Sequence, residues 1–429
     1  MNLIFLADIN ISSPYVLLIA GSVVLVLSFL FNLLAERTNI PSVLMLLLTG
    51  ILIQQGLIGL DYTDLDLQPI LEIIGIVGLI MIVLEAALDL ELNQEKLPLI
   101  GKTALVALLC LLGSAFLMAL IIQAFIPMEY MIALLYATPL AIMSSAIIIP
   151  SVSNLFGEKR EFMIYDGTFS DILGIMFFYF IVSLVESGGS KASVQFIFGF
   201  FVTIIVAIIA SYVLVFFFKD LKGHKLFLLI AVLLLLYSLG KLLHLSPLLI
   251  ILVFGLALAN HQRFFKIFKN SFDEDDPIEK VEKDFHLITA ETAFVVRTFF
   301  FVIFGMTIPL SSLISGKVAL ISLCVLVVLY GVRWVVIRFV APKYLDPELW
   351  IAPRGLITIL LFFAIPVGLQ IEEFEMGILL YVILVSSIIM SIALIRHGKK
   401  TKNGKNGAKK SSIDKEQPIG VDRSTTPSN

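Results

Sequence analysis

Thirteen stretches of this chain are apolar over lengths close to a bilayer's thickness, and they constrain the fold more than any other feature. They fall at about 14–35, 41–58, 69–90, 98–125, 130–154, 163–186, 194–218, 224–242, 246–261, 286–308, 316–340, 346–368 and 376–396. A helix crossing the hydrocarbon core needs ~20 mostly apolar residues, and the shortest stretches, such as 246–261, fall below that length. Backbone groups in lipid must be satisfied within their own segment. The expectation is therefore an all-α polytopic membrane protein with about 13 transmembrane helices. Composition agrees: 59% of residues are hydrophobic and 15% charged, against roughly 45–50% and 25% in soluble domains. A soluble enzyme or nucleic-acid-binding domain is excluded on that ground. Cys110 and Cys324 lie in apolar stretches and read as small packing residues, not as a disulfide or metal site. The N-terminus lacks the basic start of a cleaved signal, so the first helix is expected to be retained.

An odd number of spans puts the termini on opposite sides. Arg37, Lys96, Lys102, Lys159, Arg160, Lys219, Lys222, Lys225 and further basic residues crowd the loops shared with the C-terminus. The opposite loops offer Lys191, Lys241 and Lys317. Positive loops stay in the cytosol, so the N-terminus is expected outside and the C-terminus inside. The expected organisation is an extracytoplasmic N-terminus (1–13), a first membrane half (14–261), a charged cytosolic connector (262–285), a second half (286–396) and a disordered tail (397–429).

Two spans carry breakers. The fifth holds Thr138-Pro139, Ser144-Ser145 and Pro150; the twelfth holds Pro353-Arg354-Gly355 and Pro366. Proline removes an amide donor and clashes with the preceding turn, so both are expected to be interrupted. They cross in opposite directions, and matched interruptions in opposed halves point to inverted repeats around an ion site at mid-membrane. Charges inside the spans are few: Glu85, Asp166, Asp171, Arg297, Arg333 and Arg354. Unpaired burial of charge is costly, so pairing is expected. Glu85 and Arg297 are a candidate pair, and Arg333 is close enough to its helix end to snorkel.

The densest chemistry lies in 163–186, where Asp166-Gly167-Thr168-Phe169-Ser170-Asp171 opens an apolar run. At 100° per residue Gly167, Ser170, Asp171 and Gly174 share one small, polar face, whereas Asp166 lies about 140° from Asp171. The two acids should meet different partners. An oblique helix start would leave both at the headgroups, but Asp171 sits roughly 12 Å beyond the beginning of the run.

These patches together resemble the monovalent cation:proton antiporter superfamily, nearer its sodium/proton exchanger branch. The resemblance covers about residues 14–396. It rests on Glu36-Arg37-Thr38-Asn39-Ile40-Pro41-Ser42-Val43-Leu44 with Gly50-Ile51, on Ala137-Thr138-Pro139, on Asp166 to Asp171, and on Pro353-Arg354-Gly355-Leu356. In the exchanger branch the ion-binding motif is Glu-Ser-x-x-Asn-Asp. By that resemblance Asp171 takes the place of the essential carboxylate, with Ser170 and Thr138 as further oxygen donors. Asp166 and Arg354 take the place of a structural ion pair. Ser170 stands where the branch has Asn, Gly167 where it has Ser, and Thr138-Pro139 lacks the Asp of Thr-Asp-Pro. Those departures leave the ligand set and the cation open.

The resemblance implies a secondary antiporter, assembled as a homodimer, that exchanges Na⁺ (or K⁺ or Li⁺) for H⁺ by competition at Asp171 and needs no cofactor. A lone desolvated carboxylate can hold either a proton or a cation, which agrees with that reading. Rival readings are a potassium-efflux or channel-like member of the same superfamily and an organic-anion symporter. Efflux members append a nucleotide-binding domain, and no G-x-G-x-x-G unit follows residue 396. Tyr165-Asp166 is half of an intramembrane aspartyl protease signature, but its Gly-x-Gly-Asp partner is missing.

Overall fold

The computed structural model describes residues 13–413 except 39, 60–66, 89, 91–93, 153–154, 156, 188–197, 200, 214–224, 244, 246, 261–276 and 308–313. Among the described residues every regular element is helical. They are α1 (Pro14–Thr38), α2 (Ser42–Gly59), α3 (Gln68–Leu88), α4 (Leu97–Phe125), α5 (Tyr130–Ala141), α6 (Ser145–Ser151) and α7 (Glu158–Ser187). There follow α8 (Phe201–Val213), then α9 (Lys225–Leu242), α10 (Pro247–Ala259), α11 (Pro277–Thr307), α12 (Gly316–Val340), α13 (Leu356–Phe363) and α14 (Gly377–Ile413). Each of the thirteen expected stretches overlaps at least one of these helices. Eight described segments are long and apolar enough to cross a membrane, one of them α5 and α6 taken together; α8, α10 and the apolar parts of α3 and α9 are shorter.

Large side chains such as Leu18, Ile19, Leu52, Phe201, Val327 and Phe339 are exposed. In water such a surface would aggregate; in lipid it is the solvated face. Inside, α11 packs on α2 and α3, while α4 packs on α5, α7 and α12. The α2–α11 contact is backbone on backbone. A Cβ at Gly50 would stand 2.1 Å from the Val302 carbonyl, and one at Gly305 would stand 2.5 Å from the Leu47 carbonyl. Small residues at matched positions let membrane helices meet this closely.

Three expectations are revised. Residues 277–285 of the supposed connector already belong to α11, with Pro277 at its first position, where a missing amide costs nothing. The N-terminal stretch 1–12, the rest of the connector (262–276) and the tail from 414 lie outside the described residues. The tail expected to be disordered from 397 overlaps α14, whose helical range runs to Ile413. The twelfth span is not helix–break–helix: residues 346–350 form turns, 351–355 carry no regular structure, and only Leu356–Phe363 is helical. Pro353 has no amide for the carbonyl of residue 349 and keeps residue 352 out of the helical region, so no helix forms until after Gly355.

Candidate functional site

The interruption of the fifth span is built from diverted hydrogen bonds. α5 stops at Ala141 and α6 begins at Ser145, with Ile142 and Ser144 in extended conformations. In an unbroken helix the amides of Met143, Ser144 and Ser145 would donate to the carbonyls of residues 139, 140 and 141. Each instead leaves the helix. Met143 donates to Ser170 Oγ at 2.9 Å, Ser144 to the Pro353 carbonyl at 3.0 Å, and Ser145 to Asp171 Oδ2 at 3.0 Å. Two of the three carbonyls stripped of those donors are met by Arg354, whose Nε donates to Leu140 at 3.0 Å and Nη2 to Ala141 at 3.1 Å. A buried backbone group left unmatched costs about 1–3 kcal/mol, and α7 and the 351–355 segment supply partners for the three amides and for the Leu140 and Ala141 carbonyls.

The two interrupted segments therefore touch. Gly355 makes the approach possible, since a Cβ there would stand 2.6 Å from Ile147 Cδ1 and 2.7 Å from Ser144 Oγ. Gly174 does the same for α7, where a Cβ would meet Ile142 Cγ1 at 2.3 Å. The small, polar face read from the sequence is thus the face that α7 turns to the break.

Asp171 and Ser170 sit there together, 2% and 3% exposed. Asp171 uses one oxygen on the Ser145 amide. Its Oδ1 is buried with no hydrogen-bond partner among the described residues, as is Ser144 Oγ. Thr138 lies one turn before the break, also buried, with its hydroxyl donating back to the Leu134 carbonyl at 2.7 Å. Such a buried carboxylate oxygen can take a proton or a cation.

The expected pair of Asp166 with Arg354 is not formed. Asp166 Oδ2 accepts from Arg333 Nη2 at 2.8 Å, with both side chains at or below 3% exposure. Arg333 also donates to the Leu349 carbonyl at 3.2 Å and the Glu348 carbonyl at 3.0 Å. It does not snorkel. The reason is topological: Arg354 sits on the segment that crosses the break, which aims its guanidinium at the end of α5 and away from the other face of α7. A signal for Arg333 was present in the sequence. Ser322, Leu326, Leu329, Arg333 and Ile337 recur at helical spacing and form the buried face of α12. Glu85 and Arg297 come together, Arg297 Nη2 lying 3.4 Å from Glu85 Oε2, and Arg297 Nη1 donates to the Ala146 carbonyl at 3.1 Å.

A cavity of about 700 Å³ leads toward this centre, lined among others by Ser28, Asn32, Glu85, Arg160 and Arg297. Its lining includes Ser145 and Ala146, so it reaches the residue that holds Asp171. At the same end of the bundle, α7 is tied to the 342–350 segment. Glu158 pairs with Lys343 and accepts from the Tyr344 hydroxyl at 2.5 Å, and Lys159 lies 3.2 Å from Glu348.

The model of the family described as "Sodium/hydrogen exchanger, transmembrane" matches residues 23–397. The chain belongs to the sodium/hydrogen exchanger family. It is thus a multi-pass membrane transporter of the cation:proton antiport class and not an enzyme. Two solved structures of the sodium proton antiporter MjNhaP1 from Methanocaldococcus jannaschii share the exchanger's fold. The one at pH 8 aligns at TM-score 0.66 and 20% identity over 89% of this chain and 99% of that one. The electron-microscopy structure aligns at TM-score 0.62 and 19% identity over 95% and 100%. No curated protein matches the exchanger's sequence.

Proposed function

We propose that this exchanger moves one monovalent cation, Na⁺, against one proton, by competition of the two for Asp171 under alternating access. One observation carries the reading: a carboxylate 2% exposed, with one oxygen fixed by the Ser145 amide and the other without a partner, at the break in the fifth span. Ser170, Thr138 and the broken backbone add hard oxygen donors, which suit Na⁺ better than a soft metal. The other buried acid is not available for exchange, because Arg333 balances Asp166. Positively charged loops stay in the cytosol, and in this reading the cavity lined by Arg160 is the cytosolic approach to the site. Asp171 is then the group that loads and unloads on that side.

The test is cation-driven proton movement in proteoliposomes with Na⁺, Li⁺ and K⁺ offered separately. Asp171→Asn keeps the shape of the side chain but can neither hold a full charge nor bind a proton near neutrality. Exchange is expected to vanish while the protein still inserts and folds. Coupled flux near the wild-type rate in that variant refutes the assignment. Flux of K⁺ alone, uncoupled from protons, favours the channel-like alternative.

A further inference from the structure

α6 contains a proline, Pro150, one turn after Ala146. In an α-helix the amide of residue i donates to the carbonyl of residue i−4, and proline has no amide to give. The carbonyl of Ala146 thereby loses its intrahelical donor, in the helix whose first amide holds Asp171. Arg297 Nη1 occupies that role from outside, donating to the Ala146 carbonyl at 3.1 Å. Its Nη2 lies 3.4 Å from both oxygens of Glu85. We infer that Arg297 is a positioning residue for the Asp171 site, substituting for the hydrogen bond that Pro150 cannot make, with Glu85 holding the guanidinium in register. The role presupposes that Asp171 exchanges a cation for a proton.

Two further features favour this over simple charge balance. The Glu85 and Arg297 side chains are 21% and 17% exposed on the wall of the cavity. An ion pair reached by water is worth much less than a desolvated one such as Asp166–Arg333. The helix that carries Arg297 is also fixed in place, because α11 meets α2 backbone to backbone at Gly50 and Gly305. Arg297 thus ties the short α6, and with it the Ser145 amide, to a rigid strut. Without that tie the first turn of α6 moves relative to α7, and the carboxylate loses its fixed partner.

The experiment compares Na⁺/H⁺ exchange kinetics and pH profiles of reconstituted wild type with the double variant Glu85→Gln/Arg297→Met, which removes both charges of the pair. Removing an outer partner of an ion ligand weakens binding 10–100-fold in metal sites. The KM for Na⁺ is therefore expected to rise about tenfold, with a much smaller change in maximal rate. Adding Pro150→Ala to the double variant restores an amide to the Ala146 carbonyl and is expected to recover most of that loss. Charge balance alone predicts no effect of Pro150→Ala. Should the double variant fail to accumulate, Arg297→Lys, with and without Pro150→Ala, asks the same question while keeping the charge. An unchanged KM in the variants, or a raised KM that Pro150→Ala leaves raised, overturns the inference. Asp171→Asn measured alongside separates the two readings. If it transports normally, the Asp171 assignment falls; if it is dead and the Arg297 variants match wild type, the Arg297 role alone falls.

Discussion

Removing the buried Arg333 should destabilise this exchanger more than removing a charged residue on its surface or in its cavity. Arg333→Met leaves the Asp166 carboxylate at 0% exposure without its hydrogen-bonded counter-charge, and strips donors from the Leu349 and Glu348 carbonyls. Breaking a buried pair by deleting one partner costs about 3–5 kcal/mol. At ~2.1 cal/mol/K of unfolding entropy per residue, 429 residues give about 0.9 kcal/mol/K. The melting temperature in detergent, read by intrinsic fluorescence, should then fall by about 3–6 °C. Asp166→Asn alone should cost a similar amount. The double variant Asp166→Asn/Arg333→Met should be less destabilised than the sum of the single changes by ~2 kcal/mol, since no charge is left stranded. The same cycle run with Arg354→Met should show much weaker coupling to Asp166, because Arg354 spends its donors on the Leu140, Ala141 and Ala352 carbonyls. Additive losses for Asp166 with Arg333, or stronger coupling of Asp166 to Arg354, would refute the reasoning.

Exchange should be electroneutral: Asp166 and Glu85 are each matched by an arginine, which leaves Asp171 as the group whose load changes. Each net charge moved would be worth ~2.3 kcal/mol per 100 mV, so exchange driven by a clamped membrane potential alone would disprove the one-for-one count. Gly50→Ala should force α2 and α11 apart, because the new Cβ would stand 2.1 Å from the Val302 carbonyl. A loss of about 1–3 kcal/mol is expected, and a melting temperature equal to wild type would contradict the close crossing. Burial, and then the hydrogen bond to Glu158, raises the Tyr344 hydroxyl above the ordinary tyrosine range. A raised folded-state value gives stability that is fully present below the unfolded value of ~10 and lost only as pH rises beyond it. Tyr344→Phe should therefore cost the same at pH 6 and pH 8, and a cost that changes between those two pH values would show that another group titrates in the contact.

Much of this architecture is local and so could be read from the chain. Span length depends on consecutive apolar residues, and the irregular stretch before α13 depends on Pro353 and Gly355 acting on their own turn, whereas Pro139 and Pro150 lie inside α5 and α6 and the break falls between them at 142–144. The placing of Asp166 and Asp171 on different faces of α7 follows from 100° per residue, and each acid does meet a different neighbour. What the chain alone could not decide was which partner each buried charge takes. Arg333 and Arg354 both satisfied the rule that a buried acid needs a cation, and nothing local ranks them. The crossing of residues 351–355 over the break ranks them, because it hands the amides of Ser144 and Ser145 to Pro353 and Asp171 and calls Arg354 to the abandoned carbonyls. Hydrogen bonds between segments more than two hundred residues apart depend on how the helices assemble. A sequence shows which backbone groups will lack a partner inside their own helix, and only the packed bundle shows which side chain supplies it.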